Sequence, residues 1–455
     1  MLRFLMFSVF ALLLFSSLQC KDDVVNPPAT TTEPVQYETP FAGVPATSDM
    51  VLYEINERAF SVSGDFAGIV PRLDSIKALG VNVIWLMPIH PIGVTNTVNS
   101  PYCITDYKGV NSEFGNLESL RTLVREAHNR GMSVILDWAA NHTSWDNPWV
   151  SAHKAWYTQD ASGNIIHPAG TNWQDVADLN FDNAEMRLEM IKALKYWVLV
   201  ANLDGYRCDA ADYVPFSFWQ QAIDSLHLIP NRSLILLAEG SRADHFDAGF
   251  QMNFSWDFFN KSVDIFKDNQ SASGFKQVHL SEYSTIPVGS HKLRFTSNHD
   301  KCAWEDTPLG FFGGKDGSMS AFVITAYFGG VPLIYNGQEV GCAVKLPFFS
   351  KSPINWTTNP DMFERYKLLM QIRAAHPALR TGDLTSFSGA DVAAFRRSTS
   401  GDTVFVVANT RNTPIDFNVP SSLQNTTWHD EISGASVELG TQLGLGAFEY
   451  QVLSK

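Results

Sequence analysis

The sequence is poor in positive charge. Its 455 residues include 33 Lys and Arg against 47 Asp and Glu, which gives a formal net charge of −14. Proteins that bind nucleic acid need basic patches to neutralise phosphates, so this balance argues against a nucleic-acid partner. Gly and Pro are not in excess and the hydrophobic content is 45%. This composition is typical of a globular protein.

The N-terminal apolar run is too short to cross a bilayer. Residues 4–15 follow a single positive charge at Arg3, a pattern typical of a signal peptide. Leu18-Gln19-Cys20 resembles a relaxed lipobox, so residues 1–20 are predicted to be a lipoprotein signal peptide with Cys20 as the lipidated residue. Plain cleavage, with Cys20 incidental, is the alternative.

The segment after Cys20 predicts where the protein is located. Lys21-Asp22-Asp23 resembles the short acidic tags that direct some bacterial lipoproteins to the cell surface. The following residues are rich in Pro, Thr and Val, so 21–47 are predicted to be a flexible tether. We therefore expect an exported protein, lipid-anchored to the outer membrane and facing the cell surface, with the periplasm as the alternative.

Cysteine is scarce, which limits the possible disulfides. Beyond Cys20 the chain has only Cys103, Cys208, Cys302 and Cys342. Cys208 lies within an apolar run and is expected to be a free core thiol. Cys302 and Cys342 both follow late strands and could pair, although their spacing does not require it.

From residue 50 onward, short apolar runs alternate with helical patterns. Such runs, separated by helices, predict a parallel sheet that is covered on both faces. Eight of them favour a (β/α)₈ barrel over 48–380, with an open doubly wound sheet as the alternative. No Gly-rich phosphate loop follows the first strand, which counts against a nucleotide-binding version of that alternative. The runs are 51–55, 81–88, 132–138, 204–209, 234–239, 251–255, 292–299 and 332–337.

Two regions depart from this alternation. Residues 143–180 are long for a connection between a strand and a helix, and are predicted to be a short excursion over the barrel. Residues 381–455 alternate apolar and polar positions with a period of two, which predicts a C-terminal antiparallel β-sandwich.

Charged side chains follow several of the predicted strands, at the barrel end where catalytic groups belong. Asp209 ends the fourth strand, Glu239 ends the fifth and Asp300 follows the seventh. Capping or ion pairing explains any one of these acids, but not the whole set. Two carboxylates on adjacent strands suit glycoside hydrolysis, in which one attacks the anomeric carbon and the other protonates the departing oxygen. Arg207 lies two residues before Asp209 and can hold it ionised.

Four segments in this order resemble the signature regions of the α-amylase family, glycoside hydrolase family 13. The resemblance implies that Asp209 is the nucleophile, Glu239 the acid/base, and Asp300 the third carboxylate that stabilises the transition state. It also implies four residues that bind substrate: Tyr102, His142, Arg207 and His299. The segments are DWAANH at 137–142, GYRCDAAD at 205–212, AE at 238–239 and FTSNHD at 295–300.

The resemblance also implies a structural Ca²⁺ site. Asn141 and Asp178 match its side-chain ligands, and Tyr213 could supply a backbone carbonyl. These are hard oxygen donors of the kind that Ca²⁺ prefers. The sequence departs from the family pattern where many members have Lys-His, because Asp212 and Tyr213 stand there instead. The sequence therefore does not predict which residues bind the sugar on the leaving-group side.

The expected function is retaining endo-hydrolysis of α-1,4-glucosidic bonds in starch, glycogen or maltodextrins. One alternative is an exo-acting or transferring member of the family: an oligosaccharide α-glucosidase, a cyclomaltodextrinase or a 4-α-glucanotransferase. A second alternative is a non-catalytic glucan-binding protein on the same fold. The expected partners are an α-glucan and, through the lipid anchor only, a membrane. The oligomeric state is open.

Overall fold

The computed structural model describes residues 33–455. Strands and helices alternate up to about residue 340, and strands dominate after residue 382. The strands are β1 (Leu52–Ile55), β2 (Val83–Leu86), β3 (Ser133–Trp138), β4 (His142–Ser144), β5 (Val176–Asp178), β6 (Gly205–Cys208), β7 (Ile235–Ala238), β8 (Met252–Phe254), β9 (His291–Arg294), β10 (Val331–Tyr335), β11 (Asp383–Ser386), β12 (Val392–Ser398), β13 (Thr403–Asn409), β14 (Ile415–Asn418), β15 (Thr426–Asp430), β16 (Ser436–Leu439), β17 (Gln442–Leu445) and β18 (Tyr450–Ser454).

The helices lie mainly between the barrel strands. They are α1 (Glu57–Phe60), α2 (Phe66–Ile69), α3 (Leu73–Ala78), α4 (Leu117–His128), α5 (Pro148–Ala152), α6 (Ala184–Val200), α7 (Phe216–His227), α8 (Asp244–Asp247), α9 (Trp256–Lys267), α10 (Gly274–Tyr283), α11 (Pro308–Phe311), α12 (Lys315–Tyr327), α13 (Pro360–Ala375) and α14 (Pro377–Thr381). Among the described residues, no helix is both long enough and apolar enough to cross a membrane.

Eight parallel strands close into a barrel in the order β1-β10-β9-β8-β7-β6-β3-β2. The (β/α)₈ prediction is confirmed, and each of the eight apolar runs overlaps one barrel strand. Closure excludes the open doubly wound sheet, which would have two edge strands. The strand residues are almost all buried, because side chains fill the interior and helices cover the outside.

The register of three neighbouring strands places the charged residues side by side. Asp137 on β3 lies opposite Arg207 on β6, and Cys208 on β6 lies opposite Ala238 on β7. The ladder continues by one step, because the Glu239 N–H donates to the Cys208 carbonyl at 2.9 Å. Asp209 and Glu239 are therefore the first residues beyond matching ends of adjacent strands.

Gly205 permits the close pairing of β6 with β7. Its φ is +148°, and a Cβ at this position would lie 1.9 Å from the Ile235 carbonyl oxygen. Any other residue would push the two strands apart. This glycine therefore helps to set the distance between the strands that carry Asp209 and Glu239.

Three further sheets lie outside the barrel. The excursion after β3 contains the antiparallel pair β4 and β5. After the barrel, six antiparallel strands in the order β11-β12-β13-β18-β15-β16, together with the pair β14 and β17, form the C-terminal domain. Its own apolar cluster includes Phe405, Phe417 and Trp428. The predicted C-terminal antiparallel sheets are confirmed.

The predicted tether at 21–47 is wrong for residues 36–41, which contact the barrel. The Tyr37 N–H donates to the Leu199 carbonyl at 2.8 Å, and the Arg121 guanidinium lies 4.0 Å from the centre of the Tyr37 ring. The Phe41 ring stacks on His128 at 4.3 Å. Two aromatic residues in a segment otherwise rich in Pro and Thr thus anchor it to helices α4 and α6.

The cysteine predictions have different outcomes. The signal peptide and Cys20 lie outside the described residues. Cys103, Cys208, Cys302 and Cys342 are all free thiols, so the pairing left open for Cys302 and Cys342 is not formed in this structure. Cys208 is a buried thiol, as predicted.

Candidate active site

The Arg207 guanidinium joins three carboxylates from three strands. Its Nη1 lies 2.7 Å from Asp137 Oδ1 and 2.8 Å from Asp209 Oδ1, and its Nη2 lies 3.1 Å from Glu239 Oε2. The Arg207 side chain is completely buried. A buried cation needs such compensation, because removing it from water without partners is very costly.

The walls around Arg207 are aromatic. Its guanidinium carbon lies 5.1 Å from the centre of the Trp85 ring and 5.5 Å from that of Phe254. Asp137, the innermost of the three acids, also accepts from Trp85 Nε1 at 3.2 Å and from the Tyr102 hydroxyl at 3.0 Å. Asp137 therefore orients Arg207 from below, while Asp209 and Glu239 lie at the floor of a cleft.

The two outer carboxylates differ in proton affinity. Burial raises the pKa of Asp209 to about 6, although Arg207 acts to lower it. Burial also raises the pKa of Glu239, to about 7, again against the influence of Arg207. Arg207 lies nearer to Asp209, at 2.8 Å, than to Glu239, at 3.1 Å, and therefore favours the ionised form of Asp209 more strongly. This difference suits a nucleophile and an acid.

Ala210, directly after Asp209, positions Glu239. Its N–H donates to Glu239 Oε2 at 2.7 Å, and the next N–H, that of Ala211, donates to the Glu239 carbonyl at 2.9 Å. Ala210 has φ +44°, in the left-handed region, which is unfavourable for a residue with a side chain. The strained turn thus aims a backbone donor at the acid on the next strand.

His299 belongs to a second buried network. Its Nδ1 lies 2.5 Å from Glu54 Oε1, and its Nε2 lies 2.9 Å from the Tyr102 hydroxyl and 3.5 Å from Asp300 Oδ2. Burial opposes a charge on His299, but Asp300 and Glu54 raise its pKa to about 9. His299 is therefore an imidazolium that donates from both nitrogens.

The cleft brings the predicted site residues together. Its volume is about 560 Å³, and Arg207 lies below its floor. His142 lies in its wall, where burial lowers the pKa to about 4, so this imidazole is neutral. The predicted residues that line it are Tyr102, His142, Asp209, Glu239, His299 and Asp300.

Comparison with known proteins decides the family. A family model described as the α-amylase catalytic domain matches residues 46–247. Alpha-amylase 3 of Dictyoglomus thermophilum is 25% identical, over 84% of this chain and 88% of that protein. The crystal structure of an α-amylase from Lactobacillus plantarum has a TM-score of 0.81 and 27% identity, over 90% of this chain and 99% of that one. Residues 46–247 of this chain belong to the α-amylase family.

Relatives within the α-amylase family carry more than one activity. A cyclomaltodextrinase of Thermoanaerobacter pseudethanolicus is 27% identical, over 82% of this chain and 66% of that protein. The comparisons therefore establish an α-amylase-type glycoside hydrolase, and they do not distinguish among the activities within the family.

Sequence reasoning missed several residues of this family member's site. Glu54 was the hardest of these residues to predict, because it lies inside the first strand and contacts His299 and not the cleft. Its one signal is an acid in the apolar run VLYEI. The aromatic residues of the cleft wall, Trp173, Trp304 and Phe348, also carried no positional signal.

The proposed calcium ligands are only partly brought together. The Leu179 N–H donates to the Asn141 carbonyl at 3.1 Å, and Asp178 lies opposite His142 in the β4–β5 pair, so Asn141 and Asp178 are neighbours. Tyr213 is half exposed, and its ring packs against Trp173. Across residues 33–455, no group of three or more His, Cys, Asp or Glu side chains forms a metal site. Calcium stays a prediction.

The two pKa values predict a bell-shaped dependence of kcat/KM on pH for a maltooligosaccharide. The rate should fall below about pH 6, where Asp209 gains a proton, and above about pH 7, where Glu239 loses one. With α-maltosyl fluoride the basic limb should weaken, because fluoride leaves without needing a proton. Melting temperatures over the same range are the control for unfolding. A maltooligosaccharide profile that is flat between pH 5 and 9 would contradict these roles.

Proposed function

We propose that this protein hydrolyses internal α-1,4-glucosidic bonds of starch, glycogen or maltodextrins, with retention of configuration. The observation that carries the proposal is the binding of Asp209 and Glu239 by the two terminal nitrogens of one buried guanidinium. A cleft built only to hold glucan has no need of two desolvated carboxylates with different pKa values.

Retention is supported by the position of the two acids. Adjacent strands lie about 4.8 Å apart, and Asp209 and Glu239 follow matching ends of β6 and β7. That arrangement is consistent with the separation of about 5 to 5.5 Å at which the second carboxylate acts as a nucleophile. An inverting enzyme needs a wider gap to hold a water molecule.

The reaction then has two steps. In the first, Asp209 attacks the anomeric carbon while Glu239 gives its proton to the glycosidic oxygen, so the leaving chain departs with a new hydroxyl group. In the second, Glu239 takes a proton from water, and the water oxygen displaces Asp209 from the anomeric carbon. Asp300 and the imidazolium of His299 lie where they can hydrogen-bond the sugar hydroxyls.

Endo action is supported by the form of the cleft. The excursion after β3 is short, and Trp304 in the cleft wall is 60% exposed, so solvent reaches the cleft and a polymer has room to lie along it. The second candidate is an exo-acting or transferring enzyme, which the cyclomaltodextrinase relative favours. The non-catalytic alternative is disfavoured by the pair of acids.

Substitution of either acid tests this function. Asp209→Asn and Glu239→Gln should each lower the release of reducing sugar from soluble starch by about a thousandfold or more, since each removes an essential group. Asp224→Asn, an exposed acid on α7, is the matched control and should retain wild-type activity.

The products then separate the candidates. Endo action releases a broad range of oligosaccharides from amylose early in the digest, and NMR of the fresh products should show the α-anomer. Release of a single short product from the start would favour the exo-acting candidate. Glucan binding by the wild type without any release of sugar would leave only the binding protein.

Calcium binding and the lipid anchor are proposals that come from the sequence. If Asn141 and Asp178 hold Ca²⁺, a chelator should lower the melting temperature and added Ca²⁺ should restore it, whereas Asp178→Asn should make the protein insensitive to both. An unchanged melting curve of the wild type would remove calcium from the account. Metabolic labelling with a radioactive fatty acid, absent in Cys20→Ser, tests the anchor.

A further inference from the structure

Within residues 33–455, the strongly exposed aromatic side chains lie near the cleft. Among the described residues, the large apolar side chains with high exposure include only two aromatic ones, Tyr213 at 51% and Trp304 at 60%. Trp304 lines the cleft directly, and Tyr213 packs against Trp173, which also lines it. An exposed ring beside a sugar-binding cleft offers an apolar face to the C–H groups of a pyranose.

Tyr213 lies on the same side of the cleft as the acid Glu239. It ends the short 3₁₀ turn Ala211–Tyr213, four residues after Asp209 and on the loop whose backbone binds Glu239. Its ring centre lies 5.5 Å from that of Trp173, and Trp173 in turn lies 5.6 Å from the His142 ring. Tyr213 and Trp173 therefore form an aromatic face next to the acid, which we call the Tyr213–Trp173 face.

The neighbouring Asp212 carboxylate faces the loop that follows Glu239. Its carboxylate accepts from the N–H groups of Ser241 at 3.1 Å and Arg242 at 3.3 Å, in the loop that follows Glu239. The Arg242 guanidinium donates back to the Asp212 carbonyl at 2.9 Å. A Cβ on Gly240 would lie 2.3 Å from the Asp212 carboxylate, so only glycine permits this contact. The Asp212 carboxylate is thus used in hydrogen bonds within the protein, whereas the Tyr213 side chain is exposed to solvent.

The opposite wall of the cleft is built from other strands. Trp304 lies in the π-helix Lys301–Glu305 after Asp300, and its ring is 5.7 Å from that of Phe348, which follows β10. Asp300, His299 and Tyr102 belong to this wall through their mutual contacts. The sugar whose bond is broken therefore lies toward Asp300, and the departing part of the chain lies toward Glu239 and Tyr213.

We propose that the Tyr213–Trp173 face binds the glucosyl residue on the leaving-group side of the scissile bond by stacking. The inference rests on the proposed function and deepens it, because it assigns recognition of the leaving chain to an aromatic ring. The same face would hold an acceptor sugar when a glucan, in place of water, attacks the glycosyl-enzyme.

Two substrates and two variants test this proposal. Tyr213→Ala should lower kcat/KM for maltopentaose about tenfold, since an aromatic contact with the leaving chain is lost. For α-maltosyl fluoride, whose leaving group is a single fluoride ion, kcat/KM should stay within about twofold of the wild type. Tyr213→Phe keeps the ring and should behave as the wild type on both substrates. Both variants retain the backbone carbonyl at 213.

A transfer assay gives a second readout. With α-maltosyl fluoride as donor and maltose as acceptor, Tyr213→Ala should form a smaller share of transfer product than the wild type. Unchanged kinetics on maltopentaose, or an equal loss on both substrates, would overturn the proposal, since the ring would then be idle or merely structural. Failure of the wild type itself on both substrates would overturn the proposed function, and the inference with it.

Discussion

One buried cation organises this structure. Arg207 is completely buried among aromatic rings and lies within 3.1 Å of carboxylates on β3, beyond β6 and beyond β7. Each of these charges would be costly to bury alone, and together they compensate one another. The contacts require that Asp137 lie opposite Arg207 and that β6 and β7 end level. The register of the barrel strands therefore also fixes the relative positions of these carboxylates. Gly205 contributes by letting β6 and β7 approach each other closely.

Sharing one cation does not make the two acids equivalent. Burial raises the pKa of both Asp209 and Glu239, Arg207 lowers both, and neighbouring carboxylates raise both. Only Asp209 also accepts a hydrogen bond from Arg207, through Nη1. Much of the remaining difference is the ordinary difference in pKa between an aspartic and a glutamic carboxyl group. A second network, Glu54 with His299, keeps a positive charge beside Asp300 on the facing wall.

The sequence predicts the fold and the site where reactive residues stand at the ends of clearly periodic apolar runs. Eight apolar runs predicted the barrel, and acids at strand ends predicted Asp209, Glu239 and Asp300, because a parallel barrel brings those ends to one rim. The sequence does not predict a residue's role when that role depends on a partner far away along the chain. Glu54 acts through His299, 245 residues away. Residues 36–41 have the composition of a tether, and their docking depends on contacts with α4 and α6 that composition does not reveal. At Asp212 and Tyr213 the sequence departs from the family pattern. The roles of these two residues become clear only from their contacts with Arg242 and Trp173.

The central claim is that Asp209 is the nucleophile and Glu239 its acid partner. The most direct test is to trap the glycosyl-enzyme with 5-fluoro-α-D-glucosyl fluoride and to identify the modified peptide by mass spectrometry. The account predicts one added glycosyl group, on Asp209, and none on the Asp209→Asn variant. Modification of Glu239 or Asp300, or hydrolysis to the β-anomer with no trapped species, would contradict it.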